Sequence, residues 1–420
     1  MSEYFRSFRL VCPNDEQAMV EALLEAQGFA FEPEPFLPCA RRLLAEPFPL
    51  GRSLAAFFGL IYIQDRSSML PPLALSPQKG ACVLDCCASP GSKTGLLAQL
   101  VGQNGLVLGN EPSHARLATL RKNLQALNLF QAVTCSWPGE KLPLGTADEG
   151  CGWDFIQLDP PCSGWGTAEK NPNVLTLWTG DKIRPLISLQ QQLLRKAAGL
   201  LNPGGRLVYS TCTTNVEENE EQVRFALALD AGLELAPLAP PPGFRLAPLQ
   251  RPGCEGVWRI RDEGDGQGFF VAAFTKKGKA VFPAMPESQG MPRGERIPEH
   301  MLRDAGLDPS RLPPGHAAVF GGNVHFLPEA ALRRLPPSLR WQGGILGKCS
   351  GGRPLFSPRL RCLNKGLPRL ALDEPSRIEA LLQGQSLQTN LEGREAPLFW
   401  RDLPLGRVRL KNGRAFWTEK

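Results

Sequence analysis

The sequence has no run of about 18 apolar residues, so no segment could cross a membrane as a helix. It contains only four histidines and no C-x-x-C pair, which argues against a zinc site. The first residues, MSEYFRSFRLVCPNDEQ, carry charges and lack an apolar core, so we expect no secretion signal and a cytoplasmic protein. The 12 cysteines should then be reduced, and each is expected to be either a core residue or a reactive side chain.

The chain has 420 residues, too many for one ordinary core, so two or three domains are expected. We divide it into an N-terminal α+β region (1–60), an α/β domain (61–276), a linker rich in glycine and proline (277–289) and a basic C-terminal module (290–420). In the α/β domain, short apolar runs alternate with segments of helical period. This alternation is typical of βαβ units with a mostly parallel sheet.

The α/β domain contains six predicted strands and four predicted helices. The strands are 81–86, 106–110, 131–135, 154–158, 206–210 and 268–275. The helices are 93–101, 113–127, 183–200 and 216–229. A further helix is predicted at 15–27, and strand-like runs lie at 317–328 and 403–417.

Basic residues are concentrated toward the C-terminus. Residues 285–420 contain 21 Lys and Arg, of which 17 are Arg, against 13 Asp and Glu, whereas residues 1–284 contain 26 against 28. Because arginine suits bidentate phosphate contacts, this bias favours a polyanionic partner, with RNA or DNA first. The alternative is a charge bias without any partner.

The segment VLDCCASPGSKTGLLAQL joins a strand, a tight Pro-Gly loop and a helix. Ligands of open α/β sheets collect at the carboxyl ends of the strands, where loop 87–93 meets a helix N-terminus. The glycine spacings of Walker A and G-x-G-x-x-G loops are both absent. Glu111 ends the next strand and suits the hydroxyls of a ribose. The alternative is an ordinary βα loop that binds nothing.

Two cysteines lie at the ends of the fourth and fifth predicted strands, 154–158 and 206–210. Asp159, two prolines and Cys162 come after one strand, and Cys212 ends the other. Each cysteine alone is better explained as a core residue, but two thiols beside one crevice favour chemistry. A thiolate that adds to C6 of a pyrimidine makes C5 nucleophilic, a carboxylate stabilises charge at N3, and a second thiol assists elimination.

These motifs resemble a known family. The set CASPGSK (87–93), Glu111, DPPC (159–162) and STC (210–212) is similar to the NOL1/NOP2/Sun RNA 5-methylcytosine methyltransferases. Further segments are most like the bacterial rRNA members, namely YIQDRSSMLPPLAL, PCSGWGT and LVYSTCTTNVEENE. The segments SFRL and PLGRVRLKNGRAFW resemble the family's N-terminal piece and a PUA-like C-terminal domain, so the resemblance implies that region 1–60 also binds RNA. The resemblance implies a Rossmann-like class I methyltransferase core.

The resemblance also implies roles for individual residues. It places S-adenosylmethionine on the loop formed by Cys87, Ala88, Ser89, Pro90, Gly91, Ser92 and Lys93. Glu111 would bind the ribose hydroxyls, and Asp159 would lie beside both the methionine end and the target base. Cys212 would be the nucleophile, and Cys162 would help to release the methylated product.

The sequence departs from the family pattern after the third strand. Members usually carry Asp-Gly near the adenine, whereas this chain has Pro138-Gly139 in TCSWPGEKLP. The adenine contact would then fall to backbone groups, to Trp137 or to Glu140.

The sequence therefore predicts an S-adenosylmethionine-dependent RNA cytosine-C5 methyltransferase, a monomer that acts on 16S rRNA or the small ribosomal subunit. The Arg-rich module would bind the RNA backbone with salt-sensitive affinity. One alternative is a tRNA or DNA cytosine methyltransferase, the DNA enzymes taking their nucleophile from the Pro-Cys loop. Another is a non-catalytic RNA-binding assembly factor.

Overall fold

The structure, a computed structural model, describes residues 6–169, 171–261, 267–278, 294–364 and 366–419. Four β-sheets organise these residues: one near the N-terminus, one large central sheet and two toward the C-terminus. The predicted linker 277–289 lies outside the described residues except for its first two positions. No helix in the described part of the chain is long and apolar enough to cross a membrane.

The N-terminal part is a four-stranded antiparallel sheet in the order β2-β3-β1-β4. Its elements are β1 (Ser7–Leu10), α1 (Gln17–Ala26), β2 (Ala30–Pro33), β3 (Ala40–Ala45), α2 (Leu54–Phe57) and β4 (Ile61–Ile63). The helix predicted at 15–27 is present as α1. Strand β4 lies just beyond the predicted boundary at residue 60 and completes this sheet.

The central part alternates strands and helices as predicted. Its elements are α3 (Leu70–Leu75), β5 (Cys82–Asp85), α4 (Ser92–Val101), β6 (Leu106–Asn110), α5 (His114–Ala126), β7 (Ala132–Cys135), β8 (Trp153–Leu158), α6 (Val174–Leu177), α7 (Arg184–Leu200), β9 (Leu201–Thr211), α8 (Glu220–Leu227), β10 (Leu233–Leu235), β11 (Trp258–Ile260) and β12 (Phe269–Lys276). The predicted helix 216–229 is divided: a short 3₁₀ turn, Val216–Glu218, precedes α8.

The central sheet has the order β10-β12-β9-β8-β5-β6-β7, with β11 paired to β12. Strands β5 to β9 run parallel, whereas β12 is antiparallel to β9 and β10 is antiparallel to β12. The chain order reverses at β5, which pairs with both β6 and β8. Ligands of open α/β sheets bind at such a switch point, outside the carboxyl ends of the strands.

The C-terminal part consists of two five-stranded sheets. The first contains β13 (Glu295–Ile297), β14 (Gly315–Phe320), β15 (Asn323–Pro328), β16 (Ile345–Ser350) and β17 (Arg353–Phe356), with helices α9 (Glu299–Asp304) and α10 (Glu329–Arg334). The second contains β18 (Leu370–Leu372), β19 (Leu387–Gln388), β20 (Glu395–Trp400), β21 (Leu403–Lys411) and β22 (Arg414–Phe416), with helix α11 (Pro375–Leu382). The runs predicted at 317–328 and 403–417 form the hairpins β14–β15 and β21–β22.

The C-terminal sheets pack against the rest of the chain. Thr134 in β7 and Gln342 exchange two backbone hydrogen bonds of 2.9 and 2.8 Å, which extends the edge of the central sheet. The guanidinium of Arg334 lies 4.2 Å from the ring centre of buried Trp153. The second C-terminal sheet shares an apolar core with the N-terminal sheet. The bridge to Thr134 places the segment before β16 beside the β7 edge of the central sheet, and the second C-terminal sheet lies against the N-terminal sheet.

Candidate active site

The carboxyl ends of β5, β6, β8 and β9 lie at one edge of the central sheet, because these strands are parallel. Loop 87–93 follows β5, Glu111 follows β6, segment 159–162 follows β8 and Cys212 follows β9. All the residues predicted to act in the reaction therefore lie at that edge.

Backbone contacts determine the shape of the loop after β5. The N–H of Ala88 donates to the carbonyl of Asn110 over 2.9 Å, which connects this loop to the end of β6. Gly91 has φ of +106°, a value that side chains rarely tolerate. A Cβ at this position would lie 3.1 Å from Cδ1 of Leu120. The loop therefore needs glycine here, directly before the N-terminus of α4, where backbone N–H groups and the helix dipole favour negative charge.

Two buried carboxylates lie near this loop. Asp85 is 1% exposed, and burial raises the pKa of its carboxyl to about 7. Its Oδ2 accepts a 2.7 Å bond from the Thr94 hydroxyl, but its Oδ1 has no hydrogen-bond partner. Glu111 is 2% exposed, and its Oε1 accepts a 2.9 Å bond from the N–H of Ser113. A glycine-shaped loop, a helix N-terminus and buried carboxylate oxygens together fit a nucleoside-type ligand with hydroxyl groups.

Asp159 uses both of its carboxylate oxygens. Lys93 Nζ lies 2.7 Å from Oδ2, and the Ser210 hydroxyl donates to Oδ1 over 2.6 Å. Burial lowers the pKa of the Lys93 ammonium, but the charge of Asp159 and the hydrogen bond to it prevail and raise that pKa overall. Lys93, predicted as part of the cofactor loop, is thus the ion-pair partner of the predicted catalytic acid.

The sulfur atoms of Cys162 and Cys212 lie 3.4 Å apart. The hydrogen bond from Cys162 lowers the pKa of the Cys212 thiol, against the effects of burial and of Asp159, and Lys93 also lowers it. The same hydrogen bond, with burial, raises the pKa of Cys162 well above its ordinary value. Both residues are only partly buried. The distance allows either sulfur to donate, and the opposite directions of the two pKa shifts favour a thiolate on Cys212 and a proton on Cys162.

The segment 137–139, which departs from the family pattern, is held by hydrogen bonds to the end of β6 and to the C-terminal part. Asn110 accepts a 3.0 Å bond from the N–H of Trp137 and donates a 2.9 Å bond to its carbonyl. The indole N–H of Trp137 donates to the carbonyl of Leu339 in the C-terminal part over 2.9 Å. A Cβ on Gly139 would lie 2.6 Å from Leu193. Within the described residues, no cluster of three potential metal ligands occurs.

Comparison with known proteins matches residues 72–275 to a family described as 16S rRNA methyltransferase RsmB/F. A Shewanella amazonensis protein, Ribosomal RNA small subunit methyltransferase F, is 38% identical over 209 residues, which are 49% of this chain and 44% of that protein. A protein of the same name from Salmonella heidelberg is 34% identical over 295 residues, which are 67% of this chain and 58% of that protein. A solved methyltransferase homolog from Pyrococcus horikoshii is 33% identical, with a TM-score of 0.56, and the match covers 65% of this chain and 87% of that one. The chain belongs to the RsmB/F methyltransferase family.

The family predicted from CASPGSK, DPPC and STC is thereby confirmed, as is the Rossmann-like core, which the central sheet displays. The chain spans about half the length of the curated relatives it matches.

Several residues of the site in this RsmB/F chain are not singled out by the sequence motifs. Ser210 belongs to the STC motif, and the structure shows that it is a direct partner of Asp159. Asn110 connects the loops after β5 and β7 through the carbonyls of Cys86 and Trp137. Glu218 is completely buried although it lies in the polar run NVEENE. Its position six residues after a candidate nucleophile is the one signal that could have drawn attention to it.

Proposed function

We propose that the chain methylates carbon C5 of cytosine in RNA, with small-subunit (16S) ribosomal RNA as the substrate. The observation that carries this proposal is the 3.4 Å separation of the Cys162 and Cys212 sulfurs, beside the ion pair of Asp159 and Lys93. Two thiols and a carboxylate suit a reaction in which covalent addition first makes a pyrimidine nucleophilic.

The cofactor is S-adenosylmethionine, which supplies an electrophilic methyl group when bound. We assign its site to loop 87–93 and Glu111. The loop follows the central strand β5 and has the glycine-dependent shape described above. Glu111 contributes a buried carboxylate at the end of the adjacent strand, where ribose hydroxyls can donate to it.

Cys212 is the proposed nucleophile. Its thiolate forms a bond to C6 of the cytosine, and the electrons of the C5–C6 double bond then make C5 the nucleophilic atom. The target base must leave its stack to reach a thiol at the edge of the sheet. The lowered pKa of Cys212 increases the thiolate fraction near neutral pH.

Asp159 is the proposed contact for the polar edge of the base. Lys93 and Ser210 bond to its two oxygens and so fix the orientation of the carboxylate. A carboxylate accepts hydrogen bonds from the exocyclic amino group of cytosine and from N3 when that atom is protonated. Addition of the thiolate at C6 moves electron density onto N3, which takes up a proton from solvent. Asp159 accepts the hydrogen bond from this N3–H and so stabilises the protonated ring.

Cys162 is proposed to act in product release, when the proton on C5 must leave and the C6–S bond must break. In the free protein, the hydrogen bond to Cys212, burial and the charge of Cys212 all raise the pKa of Cys162. Once the Cys212 sulfur is bonded to C6, it no longer bears a negative charge. Cys162 then releases its proton to solvent more readily. Its thiolate accepts the proton from C5, the electrons of that C–H bond re-form the C5–C6 double bond, and the C6–S electrons return to Cys212.

The C-terminal part, residues 290–420, is the proposed PUA-like RNA-binding module. Exposed arginines on its two sheets, their connecting loops and helix α11 include Arg340, Arg353, Arg377, Arg394 and Arg409. Arginines on the surface bind phosphates of any sequence, so this module would supply affinity rather than choice of base.

Replacement of the nucleophile tests the proposal. Cys212→Ala should abolish methylation of RNA, because no other thiol occupies its position at the end of β9. Binding of S-adenosylmethionine, measured by calorimetry, should persist because loop 87–93 is unchanged. Methylation that continues at the wild-type rate in this variant would exclude Cys212 as the nucleophile.

Replacement of the second thiol tests the release step. Cys162→Ala should accumulate a covalent protein–RNA adduct, visible as a band that resists denaturing gel electrophoresis. The absence of that band, with active wild-type protein alongside, would contradict the release role. Trapping on RNA and DNA oligonucleotides that carry 5-fluorocytosine, followed by peptide mass spectrometry, identifies both the reacting cysteine and the nucleic acid. Bisulfite mapping of ribosomal RNA from cells that lack the protein then locates the base.

A further inference from the structure

Glu218 is a completely buried carboxylate beside the two thiols. It ends the 3₁₀ turn Val216–Glu218, six residues after Cys212, and none of its surface is exposed, whereas its neighbour Glu217 is exposed. A buried carboxylate is unfavourable unless hydrogen bonds replace its contacts with water. Its burial therefore raises the question of what it binds.

Four donors surround the Glu218 carboxylate. Its Oε1 accepts 2.9 Å bonds from the N–H of Ser163 and from Nε2 of Gln190. Its Oε2 accepts from the Ser163 hydroxyl over 2.5 Å and from Nδ2 of Asn215 over 3.1 Å. Ser163 directly follows Cys162 and thus uses both of its donors on a residue from the segment after Cys212.

Other hydrogen bonds connect the same two segments. The hydroxyls of Ser163 and Thr213 lie 2.7 Å apart, and Thr213 directly follows Cys212. The N–H of Gly166 donates to the carbonyl of Cys212 over 3.0 Å. The carbonyl of Glu218 accepts a 2.7 Å bond from the Tyr209 hydroxyl, which anchors the turn to β9. The residues that flank each thiol are therefore joined to those that flank the other.

We propose that Glu218 is a positioning residue that sets the separation of the Cys162 and Cys212 sulfur atoms. It does so by joining the loop after β8 to the segment after β9 through Ser163. The proposal rests on the proposed function only for the chemical use of the two thiols. Glu218 has no exposed surface, so the role that we assign to it is exerted through the two cysteines.

The separation of the sulfurs matters because each influences the other. The hydrogen bond from Cys162 is the main effect that favours the Cys212 thiolate, ahead of the charge of Lys93, whereas Asp159 opposes that thiolate. Asp159 and Glu218 are the charged groups that face Cys162 besides Cys212 itself. If the loop after β8 moves away, Cys212 loses its hydrogen-bond donor while burial and Asp159 continue to oppose ionisation.

The variant Glu218→Gln separates positioning from bulk packing. The amide has the same shape, but its nitrogen cannot accept, so one pair of the four donors loses its acceptor. Glu220→Gln is the matched control, since Glu220 is equally buried and only two residues away. Its carboxylate accepts from Arg259 over 2.9 Å and from the N–H of Gln250 over 3.2 Å, which are not in the loop after β8.

Two properties are measured for each variant. The first is the rate at which iodoacetamide alkylates Cys212 as a function of pH, and the second is the kinetics of RNA methylation. Glu218→Gln should move the midpoint of the alkylation profile to higher pH, because Cys212 loses the donor that favours its thiolate. It should also lower kcat about 10–100-fold, the loss expected from a displacement of about 1 Å at a reacting group, with KM for RNA little changed. Glu220→Gln should lower the thermal midpoint of unfolding without either effect.

A wild-type alkylation profile and kcat in Glu218→Gln would overturn the proposal, as would equal shifts in both variants. If Glu218→Gln does not fold, Ser163→Ala is used in its place, because it removes only the hydroxyl contacts to Glu218 and Thr213. An unchanged alkylation profile in Ser163→Ala would also overturn the proposal. Alkylation needs no RNA. A wild-type protein that fails to methylate cytosine in RNA would therefore contradict the proposed function, while the alkylation profiles would still decide the role of Glu218.

Discussion

Replacing Gly91 with alanine tests whether the loop after β5 binds the cofactor. Gly91 has φ of +106° and ψ of 6°, outside the conformations that alanine adopts without strain. The added Cβ would also lie 3.1 Å from Cδ1 of Leu120, which is fully buried in α5. The substitution therefore strains the backbone and crowds the helix behind the loop at the same time.

The size of the effect follows from the backbone conformation. A left-handed conformation costs a residue with a Cβ about 1–2 kcal/mol. If the cofactor binds only the loop shape seen here, relaxation of the loop lowers the population of the binding-competent form, and the apparent Kd rises by the same factor. A cost of about 1–2 kcal/mol then corresponds to a Kd for S-adenosylmethionine about 5–30-fold weaker.

Isothermal titration calorimetry with S-adenosylmethionine measures this change, and Gly102→Ala is the control. Gly102 follows the last residue of α4, about 16 Å from Gly91 along the helix. Its φ of +70° and ψ of −173° are also restricted to glycine, and a Cβ there would meet no atom within 4 Å. The control should lose stability but keep the wild-type Kd. An unchanged Kd in Gly91→Ala, or an equal increase in both variants, would refute the assignment of the loop to the cofactor.

Two further predictions concern the charges beside the thiols. Lys93→Met should lower the free energy of unfolding by about 2–3 kcal/mol, because it leaves the carboxylate of Asp159, whose side chain is 25% exposed, without its ammonium partner. Urea denaturation measures this loss of stability. The double variant Lys93→Met with Asp159→Asn should regain part of the free energy of unfolding, and a double variant that regains none would show that the two residues are not coupled. Alkylation of Cys212 in the wild type should rise with pH through a midpoint below the ordinary thiol pKa, since the thiolate is the reactive form. Cys162→Ala should move that midpoint upward, and a midpoint that stays in place would contradict the hydrogen bond between the thiols.

The central sheet could be predicted because its sequence pattern is regular. Buried parallel strands are short apolar runs, and the intervening helices repeat every 3.6 residues, so the bounds of β6 agree with the prediction at every residue. Strand β9 is longer than predicted and begins at Leu201, five residues earlier. The intervening Asn-Pro-Gly-Gly is typical of a turn, but β9 pairs with β8 across a register shift there, and tertiary pairing prevails over local preference.

The proximity of the two thiols was also predictable. Cys162 lies in the loop after β8 and Cys212 directly follows β9, and the two strands are adjacent and parallel. Parallel neighbours bring their carboxyl ends together, so the separation in sequence becomes irrelevant. The sulfur–sulfur distance could not be predicted, because it depends on hydrogen bonds of the flanking residues rather than on the strands.

Composition alone did not distinguish the roles of the C-terminal arginines. Arg361 is buried and donates to the carbonyls of Val11 and Leu127, which joins the C-terminal part to the rest of the chain. Arg407 is buried beside Glu395, and Arg334 packs on a tryptophan of the central domain. Part of the basic excess therefore stabilises the packing of this chain, and only the exposed arginines remain available to a polyanion.

The burial of individual residues in the run NVEENE could not be predicted from the sequence pattern. Glu217 and Glu218 are chemically identical neighbours near a helix start, where acidic residues are usually solvated and favour the helix dipole. One is exposed and the other fully buried, because the loop after β8 and Gln190 of α7 close over Glu218 and supply donors. Those donors come from parts of the chain that are 28 and 55 residues away. Periodicity within a run carries no information about such partners. Burial of a carboxylate next to a candidate nucleophile costs desolvation free energy. Because of this cost, such a residue is a candidate for a positioning role.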